Sequence, residues 1–279
     1  MSPLLLAALL LATPAPPQET PAPAAATTET APPHAGDDLD IDPVEPDFVV
    51  VNLPTTARLP KGKLAMRITH RLARGLTAGD VGDLAADFFS FDGGAQIGLE
   101  LRFGLLRATQ LGIHRTSDRT IEFFLTQGLL RREGAPVALQ ADLAVEGLDN
   151  FQEEYSPRLG FTVSRRLGER GAVYLSPAFV GNTNLRGAEG DDGSLVLGLG
   201  ARLRLGEKWA LLAEAHPRLA GFDGGNDSLL AFGIERVVGG HAFQLNVSNE
   251  LATTPAQIAR GQVGRDDWYL GFNVARKFY

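Results

Sequence analysis

The chain has no cysteine. That excludes a disulfide scaffold, a thiolate zinc site and a cysteine nucleophile. It also lacks any apolar run near the roughly 18 residues that a membrane-spanning helix requires. Basic charge is scarce, with 26 Lys and Arg against 33 Asp and Glu for a net charge of −7. Nucleic-acid partners are therefore not expected, since they call for a basic patch. Nor is there a Gly-x-Ser-x-Gly sequence to mark a strained serine nucleophile.

What is present begins with an apolar stretch at residues 4–12, followed by Ala-, Pro- and Thr-rich sequence. It is too short to span a bilayer as a helix and reads as a signal peptide over 1–26, although Met1 and Ser2 supply no basic charge. Residues 27–47 are rich in Pro, Ala and acid, a composition expected to stay disordered as a linker. Ordered sequence is expected over 48–279.

From there the dominant signal is alternation with a period of two, the mark of strands with one apolar face. Leu64, Met66 and Ile68 oppose Ala65, Arg67 and Thr69. Ile97, Leu99, Leu101 and Phe103 oppose Gln96, Gly98, Glu100 and Arg102. About twelve such segments follow one another: 63–72, 95–103, 107–115, 120–130, 137–146, 158–166, 172–180, 195–205, one from Trp209, one near Ser228, 242–248 and 268–278. Segment 120–130 is apolar on both faces, so its register is open.

A soluble β-sandwich alternates too, with the apolar face inward. Three features favour a membrane barrel. Many segments run to nine residues or more, suiting a tilted membrane span. Short connections (104–105, 132–135, 168–171, 206–208, 239–240) mostly alternate with long ones (74–92, 147–156, 181–193, 217–227, 249–267), and only 116–119 breaks the pattern. Phe103, Trp209 and Phe278 fall at strand ends on the short-turn side and Phe91, Phe222 and Trp268 near the other, where two aromatic girdles would meet lipid headgroups. The expected fold is an all-β, antiparallel, up-and-down transmembrane β-barrel with short periplasmic turns and longer extracellular loops. An even strand number puts both termini in the periplasm. The last strand would present Trp268, Leu270, Phe272, Val274 and Phe278 to lipid, with Arg276 snorkelling to the headgroups.

Leu59-Pro60-Lys61-Gly62-Lys63 leading into Ile68-Thr69-His70-Arg71, Phe88-Phe89-Ser90-Phe91-Asp92 before Gly98-Leu99-Glu100, and the closing Gly271-Phe272-Asn273-Val274-Ala275-Arg276 resemble an uncharacterised family of Gram-negative outer-membrane β-barrel proteins, a domain of unknown function. The resemblance implies an outer-membrane location and no established activity.

The face opposite lipid would line the lumen with Glu100, Arg102, Asp142, Glu146, Arg158, Arg202, Arg204, Glu214, His216 and Asn273. Mixed charge of this kind either fills the barrel as a self-paired polar plug or forms a constriction that selects small ions or solutes. The leading functional expectation is a narrow channel, and the alternative is a non-conducting surface or assembly-partner barrel. A membrane-embedded hydrolase is the remote third, resting on Asp227-Ser228 near His216, and no catalytic residue is assigned. Asp191-Asp192 and the run 223–227 carry oxygen ligands but match no calcium loop, so no metal or cofactor is expected. Expected partners are outer-membrane lipid and lipopolysaccharide, the barrel-assembly machinery through the last strand, and a periplasmic partner through the linker.

Overall fold

The computed structural model describes residues 42–131, 135–185, 187, 192–222, 228–261 and 267–278. The signal-peptide stretch and most of the linker, together with Asp191 and the run 223–227, lie outside the described residues. No helix among them is long and apolar enough to cross a membrane.

The strands are β1 (Leu64–Leu72), β2 (Ala95–Leu106), β3 (Thr109–Thr116), β4 (Ile121–Arg131), β5 (Val137–Gly147), β6 (Glu153–Arg166), β7 (Gly171–Val180), β8 (Ser194–Arg204), β9 (Trp209–His216), β10 (Arg218–Gly221), β11 (Leu229–Val238), β12 (His241–Ser248) and β13 (Tyr269–Phe278). Neighbours pair antiparallel, and β1 closes the sheet by pairing with both β2 and β13, Ile68 lying opposite Leu99 and Val274. Twelve strands make the closed barrel, which leaves no unpaired edge. The thirteenth is a four-residue extension: Pro217 interrupts the chain after β9, and β10 then pairs with β8 alone. Proline has no N–H to give the ladder, which is why the strand divides there.

The polarity is that of a barrel in lipid. On β2, Leu99 and Leu101 are 44% and 46% exposed, while Glu100 and Arg102 between them are 5% and 8% exposed. A soluble sandwich would show the reverse. The open register of β4 is settled by its neighbours: Phe123 and Leu125 point outward, whereas Glu122, Phe124 and Thr126 are buried inside. On β13, Phe272 and Val274 face outward, Arg276 is exposed, and its guanidinium lies 4.9 Å from the Phe278 ring.

One expected long loop is short. The connection at 147–156 reduces to residues 148–152, because β6 begins at Glu153. A left-handed turn at Asp149 and Asn150 (φ 48° and 58°) closes it, and an ion pair between Arg119 and Asp149 ties it to the adjacent turn.

Two segments fill the barrel interior. Residues 42–60 enter from the short-turn rim, where Asp42 pairs with Arg166 at the end of β6. They turn back over 50–53, with the Val50 N–H donating to the Leu53 carbonyl at 2.8 Å and an antiparallel bridge between Val49 and Pro54. The returning arm reaches the same rim and enters β1. The disordered-linker boundary at residue 47 therefore shifts: Val44 to Asp47 are buried, Val44 at 1% and Asp47 at 3% exposure. Their proline- and acid-rich composition suggests solvation only while the surrounding wall is left out of account.

The second insert comes from the other rim. Helix α1 (Val81–Ala86) stays outside the barrel, but α2 (Pro255–Arg260), in the loop between β12 and β13, is buried from Ala256 to Arg260. Thr254 and Gln257 form a reciprocal capping box, Pro255 starts the helix and Gly261 ends it in the left-handed conformation, φ 63°. The two inserts meet. Val50, Val51 and Leu53 share one apolar cluster with Ile258 and with Tyr174, Leu212 and Ala231 of the wall.

Candidate functional site: the filled lumen

The closed register places inward side chains in rows that cross the strands. One row runs Arg67, Glu100, His114, Glu122, Glu146 and Ser156, each directly opposite the next on β1 through β6. Glu122 and Glu146 face each other on adjoining strands, with Glu100 beyond His114 in the same row, and such carboxylates repel unless countercharges reach them. Glu100 is paired with Arg102 and, at 3.5 Å, with Arg67. Arg158 of β6 pairs with Asp142 and, at 3.2 Å, with Glu122. Among the described residues Glu146 forms its ion pair with the loop, through Arg260 of α2, and accepts from the Thr254 hydroxyl. Removing a buried charge partner is expensive, so this pairing locks α2 in the lumen.

The opposite wall holds the hairpin. Glu214 of β9 accepts hydrogen bonds from the backbone N–H groups of Val51, Asn52 and Leu53, each at 2.9 Å, and from Asn52 Nδ2 at 2.9 Å. The backbone carbonyls at the tip are met as well. Asn273 Nδ2 and Arg67 Nη1 both donate to the Val51 carbonyl at 3.1 Å, and Gln244 Nε2 donates to that of Val50 at 2.9 Å. Arg71, fully buried, bridges Asn273 at 2.9 Å and Asn52 at 3.1 Å. Lower down, Arg202 donates to the Pro43 carbonyl at 2.7 Å and pairs with Glu235 at 2.6 Å. Lys277 and Arg102 lie 4.7 Å and 4.9 Å from the Phe48 ring. Two glycines of β8 complete the seat. A Cβ at Gly198 or Gly200 would fall 2.1 Å or 2.4 Å from a Leu53 methyl, so glycine there is what admits the tip.

Two of the cavities between the inserts and the wall are ≈ 30 Å³ each, one bordered by Glu100, His114, Glu122 and Asp142, the other by Leu53, His216 and Ile258. Each holds about two water molecules, not a solute.

Of the ten residues that alternation assigns to the lumen, Glu100, Arg102, Asp142, Glu146, Arg158, Arg202, Glu214, His216 and Asn273 are buried inside. Arg204 shares their parity but sits at the end of β8, where it donates to the Glu169 carbonyl at 2.9 Å on the rim instead of lining the interior. Glu122 was missed because the register of its strand was open, and Glu235 because the segment near Ser228 was left without bounds. Arg67 and Lys277 already stood on the polar parity of clear strands. Arg260 had no periodic signal at all. Phe103, Trp209 and Phe278 project outward at the short-turn rim, and Phe103 and Phe278 both lie opposite Leu64. Trp268 is half-buried at the other rim against Phe232, ring centroids 6.0 Å apart. His216 Nε2 lies 3.3 Å from Glu214 Oε1, and that carboxylate is already committed to the hairpin. Asp227 is outside the described residues.

The family model for the membrane-bound beta barrel domain DUF5777 matches residues 47–278. The chain belongs to that family. The match starts at Asp47, so it takes in the inner hairpin from just before its tip as well as the wall. No curated protein matches the chain. Among solved structures, the NanC porin aligns with a TM-score of 0.51 at 6% identity, over 77% of this chain and 99% of the porin. The COG4313 outer membrane channel from Pseudomonas putida F1 aligns with a TM-score of 0.50 at 12% identity, over 80% of this chain and 98% of the channel. At such identities the likeness is one of fold.

Proposed function

We propose that this family member is an outer-membrane barrel closed at rest by its own N-terminal hairpin, and that it passes small ions or solutes when the hairpin is withdrawn. The observation that carries this reading is how the charges are divided. The ion-pair groups Arg67–Glu100–Arg102, Arg158–Glu122–Asp142 and Arg202–Glu235 are each complete within the wall. Withdrawing the hairpin therefore leaves these buried charges compensated, while Glu214 passes to water and the rim pair Arg166–Asp42 parts. The hairpin itself is gripped largely by hydrogen bonds to its backbone, which water can replace. The fold likeness to a porin and an outer-membrane channel is consistent with a conducting wall.

In this reading the short-turn rim, where Asp42 stands, faces the periplasm and is the side on which a periplasmic partner would be met. Lipid and lipopolysaccharide surround the apolar face, and the last strand, ending at Phe278, engages the assembly machinery.

Planar-bilayer recording tests the proposal. The full chain should be silent or nearly so, and a variant lacking the residues up to 60, exported behind an unrelated signal sequence, should show single-channel steps. Steps of equal size from both would remove the gating role. Silence from both would favour the second reading, a non-conducting surface or assembly-partner barrel. That reading draws on the Arg260–Glu146 lock, which holds a second insert in the lumen from the opposite rim.

A further inference from the structure

The loop between β1 and β2 forms a lobe at the long-loop rim, most of whose apolar side chains stay exposed among the described residues. Helix α1 has no buried residue. Val81 is 82% exposed, and Phe88, Phe89 and Phe91 are 66%, 56% and 53% exposed. Three large exposed rings within four consecutive positions, Phe88 and Phe91 with centroids 5.8 Å apart, are not the scattered apolar residues of an ordinary surface.

The lobe is nevertheless ordered, by hydrogen bonds in place of burial. The Phe89 N–H donates to the Leu84 carbonyl at 2.8 Å and the Phe88 N–H to that of Ala85 at 3.1 Å. Its base is pinned to the barrel: the Leu76 N–H donates to the Trp268 carbonyl at 2.7 Å, and Arg74 pairs with Asp87. Phe88, Phe89 and Ser90 all hold left-handed backbone, φ 45°, 55° and 77°. Three successive non-glycine residues keep such a conformation only where the surroundings impose it. Here it leaves the rings bare instead of folding them onto the wall.

The geometry points to the lipid interface as the occupant of this patch: Phe88, Phe89 and Phe91 are seated at the headgroup–acyl boundary of the membrane that surrounds the barrel. The argument is continuity. Phe91 leads through the Gly93–Gly94 turn directly into β2, whose outward residues Ile97, Leu99 and Leu101 belong to the lipid-facing belt. Trp268, at the base of the lobe, stands at the same rim. The acids beside the rings are Asp87, paired with Arg74, and exposed Asp92, while Asp80 and Asp83 gather at the capped start of α1. Aromatic rings concentrate at membrane interfaces because one side of the site is apolar and the other wet. The lobe thus acts as a foot that fixes the barrel's depth and tilt in the outer leaflet. This does not depend on whether the lumen conducts.

The absence of cysteine makes the test direct. Single substitutions Phe89→Cys, Leu101→Cys and Glu153→Cys are spin-labelled in the full chain, reconstituted in phosphatidylethanolamine–phosphatidylglycerol vesicles. Collision with oxygen, which concentrates in lipid, is compared with collision with a water-soluble nickel chelate. Position 101 reports the lipid belt, and exposed position 153 reports the aqueous rim. The expected result is oxygen-dominated collision at 89, as at 101, and the inverse ratio at 153. A chelate-dominated ratio at 89 overturns the proposal. So does shielding from both reagents, which would assign the patch to a second copy or another protein. Phe89 contributes little buried surface, so its replacement leaves folding intact.

Discussion

Replacing Glu214 with alanine should release the tip of the inner hairpin. The carboxylate accepts from three backbone N–H groups and one side-chain amide, all buried. A buried donor left without a partner costs about 1–3 kcal/mol. Water entering the space vacated by the side chain offsets part of this, so the low end applies to each backbone donor. The three together give roughly 3 kcal/mol, which multiplies the population of the detached tip about 100-fold. Carbonyl contacts from Asn273, Gln244 and Arg67 remain, so the hairpin should loosen locally and not leave the barrel. Hydrogen exchange followed by mass spectrometry, on protein in lipid nanodiscs, reads this at residues 51–53. Protection should fall by about two orders of magnitude there and stay unchanged in β2 to β5. Glu214→Gln keeps the shape but turns one acceptor into a donor, and should lose most of the same protection. If Glu214→Ala leaves residues 51–53 as protected as before, the carboxylate is not what holds the tip, and the argument for a polar, releasable grip fails.

Three further outcomes follow from the same contacts. Arg260→Ala leaves Glu146 facing Glu122 across β4 and β5 without its guanidinium and should lower stability by about 3–5 kcal/mol, read as an earlier loss of heat-modifiable gel migration. Glu146→Gln in the same chain should restore much of it, and no recovery would refute the pairing. Leu53→Ala empties the seat against Gly198 and Gly200 and should cost about 2–5 kcal/mol of hairpin docking, seen as faster exchange of residues 48–55. Glu250, in the loop ahead of α2, has its carboxyl pushed up to about 8 by burial, against an opposing pull from Arg218. Its folded form keeps the proton that the undocked loop releases, so docking weakens as pH rises from the ordinary carboxylate value of 4.5 to about 8. Limited proteolysis of the 249–261 loop should therefore accelerate on going from mildly acidic to mildly alkaline buffer, and Glu250→Gln should flatten that profile. A wild-type profile that is already flat would refute it.

Alternation alone was enough to find the wall, because each barrel strand is solvated by lipid on one face and buried on the other. Glu100 and Arg102 sit inside for the same local reason that Leu99 and Leu101 sit outside. That contrast fades in some strands. Phe123 and Phe124 are both large and apolar, and only pairing with β3 and β5 decides that Phe124 turns inward to meet Arg102, 4.6 Å from its ring. Alternation also misplaced Arg204, since parity continues past the point where the barrel wall ends.

Local alternation encodes an all-β chain, inverted in polarity, with about twelve strands and a mixed-charge inner face. Those are period-two properties, written within each segment of a dozen residues. The filling of that inner face was decided by tertiary structure alone. Val51 meets Glu214 across 163 positions of sequence and Val44 meets Arg202 across 158, and neither partner carries a local mark of the other. A stretch too poor in apolar residues to fold alone becomes ordered because a closed wall supplies donors, acceptors and two glycines in the right places. Closure of the barrel turns a tail into a plug.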